Sequence, residues 1–254
     1  MTLARRTALI TGAGGGIGSA VARAFAAAGA DLSLADLKPV AALANELRAS
    51  GRRVIDTPTD VTQSNQVRAL VDATLKAFEQ IDVLVNVAGT VSFGSAQALA
   101  EAEFDRVLTV NLKGTFLCCQ AVIAAMRERE YGRIINIGSI LGKNGGNARP
   151  WLDATEQANA SNVAYGVSKA GVHAMTLFLA RELAGAGITV NAVAPGPIAS
   201  AMTQNFPQRL RDLIPAGRMG NADEVAHACL FLADEASGYI TAEILDVNGG
   251  MWGD

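Results

Sequence analysis

The stretch Thr7-Ala8-Leu9-Ile10-Thr11-Gly12-Ala13-Gly14-Gly15-Gly16-Ile17-Gly18 decides the fold. Its first five residues form a short, mainly apolar strand pattern, and the glycines lead into a helical run that ends near Gly29. Between a strand and a helix, glycines allow a tight turn and let a pyrophosphate approach backbone N–H groups at the helix N-terminus. The position predicts a nucleotide-binding loop, although an ordinary turn would contain the same residue types.

Strand and helix patterns alternate along the rest of the chain. Further strands are predicted at 31–36, 54–57, 81–87, 133–137, 188–194 and 244–247, with helices at 39–50, 63–78, 100–129, 165–184 and 222–233. Seven strands separated by helices predict an α/β fold, a Rossmann-type doubly wound parallel seven-stranded sheet with helices on both faces. No repeat or linker interrupts 1–254, so we expect a single domain.

The composition argues against several classes of protein. Of the 254 residues 50% are hydrophobic and 18% are charged, which favours a folded core over disorder. The net charge of −3 and the pI near 5.5 predict no nucleic acid and no membrane as partner, because both bind basic surfaces. The uncharged span 185–208 is interrupted by Asn191 and Pro195–Pro197, unlike a membrane segment. We therefore expect a soluble, cytoplasmic protein.

Neither the cysteines nor the histidines have the spacing of a metal site. Two of the three cysteines, Cys118 and Cys119, are adjacent, and an odd number does not form a disulfide framework. His173 and His227 are far apart, within helical stretches where packing or a surface position is the simpler interpretation. We predict no metal and a reducing compartment.

Asp36 ends the second predicted strand, 20 residues after Gly16. A carboxylate at this place accepts hydrogen bonds from the hydroxyls of an adenosine ribose and repels a 2′-phosphate, so NAD(H) is favoured. Asp36 could instead cap the helix predicted to begin at Pro39. Lys38 leaves NADP(H) open, because a basic residue here could accommodate the phosphate.

The pentapeptide Tyr165-Gly166-Val167-Ser168-Lys169 begins another helical run. Positions four apart share one face of a helix, so the Tyr165 hydroxyl and the Lys169 ammonium can point into the same space. A nearby cation favours the ionised form of a phenol and would bring its pKa closer to neutral, as a proton acceptor requires. A surface Tyr/Lys pair on an amphipathic helix has the same pattern.

Six motifs in order resemble the classical short-chain dehydrogenase/reductase family, over essentially the whole chain. They are Thr-Gly-x-x-x-Gly-Ile-Gly at 11–18, Asn86-Val87-Ala88-Gly89, Asn111, Ser139, Tyr165-x-x-x-Lys169 and Pro195-Gly196-Pro197-Ile198. The ending 240–250 resembles the family's last strand and turn. Val87 stands where the family commonly has a second Asn, and Asn248 where it often has Asp.

The resemblance implies a role for each of four catalytic residues. Tyr165 would be the general acid/base, and Lys169 would hold the nicotinamide ribose and lower the pKa of the phenol. Ser139 would hydrogen-bond the reacting oxygen. Asn111 would hold a water that connects Lys169 to solvent, although an Asn that satisfies helix backbone at a kink is the alternative.

The cofactor contacts implied by the resemblance come from all parts of the chain. They are Gly12, Gly15, Gly16, Ile17, Gly18, Asp36, Asp60, Val61, Asn86, Ala88, Gly89, Tyr165, Lys169, Pro195, Gly196, Ile198 and Ser200. Each could be ordinary turn chemistry by itself, and their order supports the cofactor interpretation.

One departure from the family pattern is large. Tyr165 follows Ser139 by 26 positions, about twice the usual separation, which indicates an insertion at about 141–163. It would form a lid or a substrate-selecting wall, or a surface excursion that only packs. With the substrate loop at about 199–215, it supplies the substrate residues that we predict: Leu141, Arg149, Trp151 and Met202.

These observations predict an NAD(H)-dependent oxidoreductase that interconverts a secondary alcohol and a ketone, small-molecule substrates. An NADPH-dependent 3-oxoacyl-thioester (ACP/CoA) reductase is the alternative within the family. A protein of a different functional class, a non-catalytic nucleotide sensor that keeps the fold, is the further alternative. The helices 100–129 and 165–184 have broad apolar content, and the resemblance implies that they pair between subunits, so we expect a homo-oligomer, a tetramer or dimer. A face buried within one subunit would have the same sequence pattern.

Overall fold

The computed structural model describes residues 1–146, 150–160, 162–200, 203 and 206–253. In these residues seven parallel strands form one sheet. They are β1 (Thr7–Thr11), β2 (Asp31–Asp36), β3 (Val54–Pro58), β4 (Val83–Asn86), β5 (Gly132–Ile137), β6 (Ile188–Pro195) and β7 (Ile244–Val247). Their order is β3-β2-β1-β4-β5-β6-β7, so the direction of winding reverses between β1 and β4. In open α/β sheets a crevice for ligands forms at such a switch point.

Helices cover both faces of the sheet. They are α1 (Gly16–Ala27), α2 (Ala41–Ala49), α3 (Ser64–Phe78), α4 (Glu101–Leu108), α5 (Gly114–Glu128), α6 (Leu141–Asn144), α7 (Ala154–Ala160), α8 (Val163–Leu183), α9 (Gln208–Arg211) and α10 (Ala222–Ala233). Neighbouring strand residues alternate between the two cores: Ile10 packs with α1, α2 and α10, whereas Leu9 packs with α3, α5 and α8. The predicted fold class is therefore confirmed.

The predicted helix 100–129 is not uniform. A π-helical turn at Thr109–Lys113 separates α4 from α5, and Asn111 is buried within it. Apolar periodicity does not encode such a turn, which is often found at functional sites. By length and composition the run Glu101–Glu128 could cross a membrane. In this fold α5 packs on α3 and on the sheet, as a core helix does.

The amino-terminal edge of the sheet is held by a buried carboxylate. Asp82 is fully buried. It lies just before β4, at a position where the sequence predicted that the strand had already begun. Its oxygens accept the N–H of Thr7 at 2.8 Å and a guanidinium N–H of Arg6 at 3.1 Å. Because a buried carboxylate needs such partners, Asp82 ties β1 to β4 at the edge opposite the crevice.

Candidate active site

A cleft of about 1790 Å³ opens at the carboxyl ends of the strands. The predicted residues that line it are Gly12, Gly15, Gly16, Ile17, Gly18, Asp36, Asp60, Val61, Ala88, Gly89, Ser139, Leu141, Trp151, Tyr165, Lys169, Pro195, Gly196, Ile198 and Ser200. Asn86 and Asn111 lie behind this surface and do not line the cleft. Arg149 and Met202 lie outside the described residues.

The glycine loop leaves its backbone open to a ligand. Gly12 has a φ of 65°, and a Cβ there would lie 2.6 Å from the Ala88 nitrogen. A Cβ on Gly18 would overlap the Gly12 carbonyl, so the loop and α1 pack backbone to backbone. Nothing lies within 4 Å of a Cβ placed on Gly16, the first residue of α1. A phosphate can therefore reach the helix N-terminus, and this loop fits a dinucleotide.

Asp36 lies at the end of β2, beside the glycine loop. Its Oδ2 accepts the Gly14 N–H at 2.9 Å, so the carboxylate faces the cleft. No side chain in the described part of the chain caps α2, which begins at Ala41, so the alternative role of Asp36 as its cap is wrong. Asp60 has a different local task, since its Oδ1 accepts both the N–H and the hydroxyl of Thr62.

Tyr165 and Lys169 lie one turn apart in α8, and Ser139 follows β5. The Lys169 Nζ lies 5.7 Å from the centre of the Tyr165 ring and donates to the Ile137 carbonyl at 2.7 Å. The Ser139 Oγ accepts the Leu141 N–H at 3.2 Å, which leaves the hydroxyl proton to donate. Because β5 and α8 converge on one edge, residues 26 positions apart share the cleft.

Burial sets the protonation of this pair. It lowers the pKa of Lys169 to about 8. It also raises the pKa of Tyr165, against a smaller lowering by the Ser139 hydroxyl. The prediction that the charge of Lys169 lowers the pKa of the phenol is therefore corrected: desolvation is the larger effect.

The amide of Asn111 connects three segments behind the cleft. Its Oδ1 accepts the Thr90 N–H at 2.7 Å, and its Nδ2 donates to the Thr90 carbonyl and the Ser168 Oγ, both at 2.9 Å. A Cβ on Gly89 would lie 3.3 Å from this Oδ1 and 3.7 Å from the Lys169 Nζ. The side chain therefore braces the loop after β4 against α8, and the helix-backbone alternative is not what its contacts show.

The described part of 141–163, the segment predicted to be an insertion, forms α6, α7 and the start of α8. Lys143 in α6 pairs with Asp246 in β7 at 2.9 Å. In α7, Glu156 accepts the Leu152 N–H at 2.7 Å and forms an ion pair with Arg209 in α9. This segment is thus joined to α9, and both Glu156 and Arg209 line the cleft.

His173 is a site neighbour that the sequence analysis treated as a packing or surface residue. Its Nε2 accepts the Ser139 N–H at 3.3 Å, and the residue is only 8% exposed. The signal in the sequence was its spacing, because His173 follows Lys169 by four positions and Tyr165 by eight.

Comparison with known proteins agrees with this geometry. A family model described as enoyl-(acyl carrier protein) reductase matches residues 12–252. The chain is 41% identical to the (2S)-[(R)-hydroxy(phenyl)methyl]succinyl-CoA dehydrogenase subunit BbsD of Thauera aromatica, over 98% of both chains. It is 36% identical to the 3-oxoacyl-[acyl-carrier-protein] reductase FabG of Thermotoga maritima, over 99% of both.

Among solved structures, the crystal structure of gox2181 superimposes with a TM-score of 0.89 at 33% identity, covering 98% of this chain and 96% of the other. The match in sequence and fold extends over nearly the whole chain. It agrees with the order of motifs around the cleft. The chain therefore belongs to the short-chain dehydrogenase/reductase family of oxidoreductases, which act on alcohol and ketone groups with a nicotinamide cofactor.

Proposed function

We propose that this chain is an NAD(H)-dependent oxidoreductase that interconverts a secondary alcohol and a ketone. The observation that carries the proposal is the meeting of Ser139, Tyr165 and Lys169 in the cleft that also contains the glycine loop and Asp36. These parts supply a proton donor, an oxygen-binding hydroxyl and a dinucleotide site in one place.

When bound, the nicotinamide supplies or accepts the hydride. For reduction, the Ser139 hydroxyl donates to the carbonyl oxygen while its own oxygen stays held by the Leu141 N–H. Tyr165 gives its proton to the same oxygen, and its raised pKa keeps it protonated until transfer. Lys169, anchored on the Ile137 carbonyl, places an ammonium beside the phenolate that develops. Oxidation of an alcohol runs the same proton transfer in reverse.

Two residues of this chain support NAD(H) over NADP(H). Asp36 presents a carboxylate at the cleft and holds the Gly14 N–H with one oxygen, so a 2′-phosphate would meet negative charge there. The neighbouring Leu37, 70% exposed, also lines the cleft and adds no positive charge. Lys38 is exposed beside them.

We expect Asp36→Asn to raise the preference for NADPH relative to NADH by about tenfold or more, since one charged contact is worth roughly 1.5–3 kcal/mol. Asparagine keeps an acceptor for the Gly14 N–H, so the loop stays in place while the charge is removed. The measurement is kcat/KM with each cofactor. Asp72→Asn, exposed on α3, is the matched control. An unchanged cofactor ratio would show that Asp36 does not select the cofactor.

A second candidate is an NADPH-dependent 3-oxoacyl-thioester (ACP/CoA) reductase. It is favoured by the relatives, because 3-oxoacyl-[acyl-carrier-protein] reductases of Thermotoga maritima and Escherichia coli are both 36% identical to this chain. BbsD, named for a CoA thioester, is 41% identical. The two candidates share the proton chemistry and differ in substrate and cofactor.

The deciding experiment is a turnover screen with NADH, NADPH and their oxidised forms. The panel pairs acetoacetyl-CoA with ethyl acetoacetate, cyclohexanone and acetophenone, and adds the corresponding alcohols. Turnover of simple ketones with NADH supports the first candidate, and turnover restricted to acetoacetyl-CoA with NADPH supports the second. Tight NADH binding without turnover of any pair would favour the nucleotide-sensing alternative.

We propose that the insertion forms a wall of the cleft that selects the substrate. Trp151, 42% exposed, and Leu141 line the cleft, and the pair Glu156–Arg209 joins α7 to α9 above it. The Glu156 carboxylate is only 9% exposed, which separates this pair from the solvated ion pairs of the surface. The parallel bridge between Gly94 and Asn162 fastens the far end of the insertion.

We expect Glu156→Gln to raise KM for acetophenone about three- to tenfold and to leave KM for ethyl acetoacetate within about twofold, since a looser wall loses contact with bulky groups first. Steady-state kinetics on the two ketones measure the difference. Glu46→Gln removes a partner of Arg23 in a half-exposed pair remote from the cleft and serves as control. Equal KM values for wild type and Glu156→Gln on both ketones would show that the insertion packs on the surface and does not select the substrate.

We also propose that the chain is a cytoplasmic homo-oligomer, a tetramer or dimer. Leu108, Leu112, Phe116 and Met175 line an apolar surface hollow of about 410 Å³, and Phe178 is 75% exposed one turn further along α8. A contiguous apolar face of this kind is typical of a subunit interface. For location, the three buried free cysteines suit a reducing compartment, and cell fractionation tests it.

We expect Phe178→Glu to shift the sedimenting species to a smaller mass at micromolar concentration, because a carboxylate would be buried unpaired in the interface. Sedimentation velocity makes the measurement. Ala42→Glu, on the exposed side of α2, adds the same charge elsewhere and should sediment as the wild type does. A monomeric wild type would contradict the proposal directly.

A further inference from the structure

The imidazole of His173 fills a space directly behind Ser139. His173 lies in α8 on the face that carries Tyr165 and Lys169 and is 8% exposed. Its Nε2 accepts the backbone N–H of Ser139 at 3.3 Å. An acceptor Nε2 means that the ring is neutral and carries its proton on Nδ1.

Two glycines on either side of Ser139 make room for this ring. A Cβ on Gly138 would overlap the His173 Nε2, and a Cβ on Gly142 would lie 3.0 Å from its Cε1. The second of these positions also lies 2.7 Å from the Ala170 nitrogen, so the turn packs closely on α8. A larger residue at either glycine would push the imidazole ring and the turn apart.

The backbone N–H of Ser139 bonds to the His173 imidazole, whereas the N–H groups of the residues before and after it bond to β6. Gly138 N–H donates to the Val193 carbonyl at 2.8 Å, and Ile140 N–H donates to the Pro195 carbonyl at 3.0 Å. Both bonds run to β6. The Ser139 N–H between them donates to the imidazole, because alternate N–H groups of an extended chain point to opposite sides.

We propose that His173 is a positioning residue, which fixes the backbone of Ser139 and thereby the place of its hydroxyl. The proposal rests on the role of Ser139 proposed above. The turn 139–142 begins at the serine: its Oγ accepts the Leu141 N–H and its carbonyl accepts the Gly142 N–H at 3.0 Å. A shift of the Ser139 nitrogen therefore moves the hydroxyl together with the turn. Misplacement by about 1 Å is worth up to roughly 10²-fold in rate.

His173→Gln and His173→Met form the test pair, because glutamine and methionine have similar length and only glutamine offers an acceptor. We expect His173→Met to lower kcat by about 10- to 100-fold and His173→Gln to stay within about threefold of the wild type. The Kd for NADH, measured by fluorescence, should stay within about twofold in both. His227→Met, exposed on α10, is the control and should behave as the wild type. Equal kcat values for the Gln and Met variants overturn the proposal.

The same substitution in a Ser139→Ala background separates this proposal from the role of Ser139. If His173 acts through Ser139, His173→Met should change kcat of Ser139→Ala by less than about twofold. A full 10- to 100-fold loss in that background shows that His173 acts elsewhere. If Ser139→Ala alone keeps wild-type kcat, the proposed role of Ser139 is wrong. If His173→Met does not fold, His173→Leu takes its place in the comparison. If neither variant folds, a folded His173→Gln variant with a tenfold lower kcat overturns the proposal.

Discussion

Tyr165→Phe should lower kcat by about 10³-fold or more and leave the Kd for NADH nearly unchanged. The substitution removes the hydroxyl and keeps the ring, so the packing of α8 on the cleft is preserved. The raised pKa of Tyr165 means that the enzyme presents a protonated phenol to a ketone, and general acid catalysis of this kind is worth roughly 10²–10⁴-fold. Loss of the proposed proton donor should therefore lower kcat, whereas the proposed cofactor contacts of the glycine loop and Asp36 are unchanged.

Single-turnover kinetics with NADH and the best ketone of the screen measure this loss, and fluorescence titration measures the Kd. Tyr239→Phe is the matched control, because this side chain is fully exposed at 102% and far in sequence from the pentapeptide. Retention of more than a tenth of wild-type kcat by Tyr165→Phe would show that another group transfers the proton. The pH profile supplies a second criterion: the fall in kcat at alkaline pH, where the Tyr165 phenol loses its proton, should persist in Tyr239→Phe.

The sequence predicted the fold well because its signals are local. The apolar strands, the glycines after β1 and the carboxylate at the end of β2 each follow from a few adjacent residues, and all lie where they were predicted. Strand and helix ends were less accurate. The helix predicted from Pro39 begins at Ala41, and the strand predicted from Ile81 begins at Val83. Near the start of α2 the Val40 N–H donates to Asp56, 16 positions away, and the local pattern does not contain this contact.

Other features depend on contacts that no short stretch contains. The π-helical turn around Asn111 is stabilised by Thr90 and Ser168, which lie 21 and 57 positions away. His173 meets Ser139 across 34 positions. The pKa of Tyr165 depends on how fully α8 and the loop after β5 exclude water from the phenol. The sequence pattern identifies the neighbouring residues but does not show how deeply the phenol is buried. Tertiary packing therefore decides the protonation of the site.

Lys169→Met should lower kcat/KM by at least about 10²-fold and at the same time make the protein more stable at pH 7. The activity falls because the ammonium beside the Tyr165 ring is removed, and electrostatic stabilisation of this kind is worth roughly 10²–10³-fold. Stability rises because a buried ammonium is costly. Burial lowers the pKa of Lys169 from 10.5 to about 8, which corresponds to roughly 3 kcal/mol against the charged form.

The pH dependence gives the sign of this effect. Below pH 8 Lys169 is charged in both the folded and the unfolded chain, so the full cost of burial opposes folding. Between about 8 and 10.5 the unfolded chain holds the proton that the folded chain has lost, and the free energy of unfolding contributed by this group increases with pH. Above 10.5 the cost is gone, and the hydrogen bond to the Ile137 carbonyl remains as a small gain over methionine.

Urea unfolding of nucleotide-free protein at pH 7, 8, 9 and 10 tests this directly. Contributions from the buried thiols, whose pKa values are raised, are shared by both proteins and cancel in the difference. We expect the stability advantage of Lys169→Met to be largest at pH 7 and to shrink steadily towards pH 10. Lys76→Met, exposed on α3, should show no such trend. The opposite outcome is a Lys169→Met variant that is less stable than wild type at pH 7, with a difference that does not change with pH. That result would mean that the fold stabilises the ammonium and that Lys169 is a structural anchor of the Ile137 carbonyl.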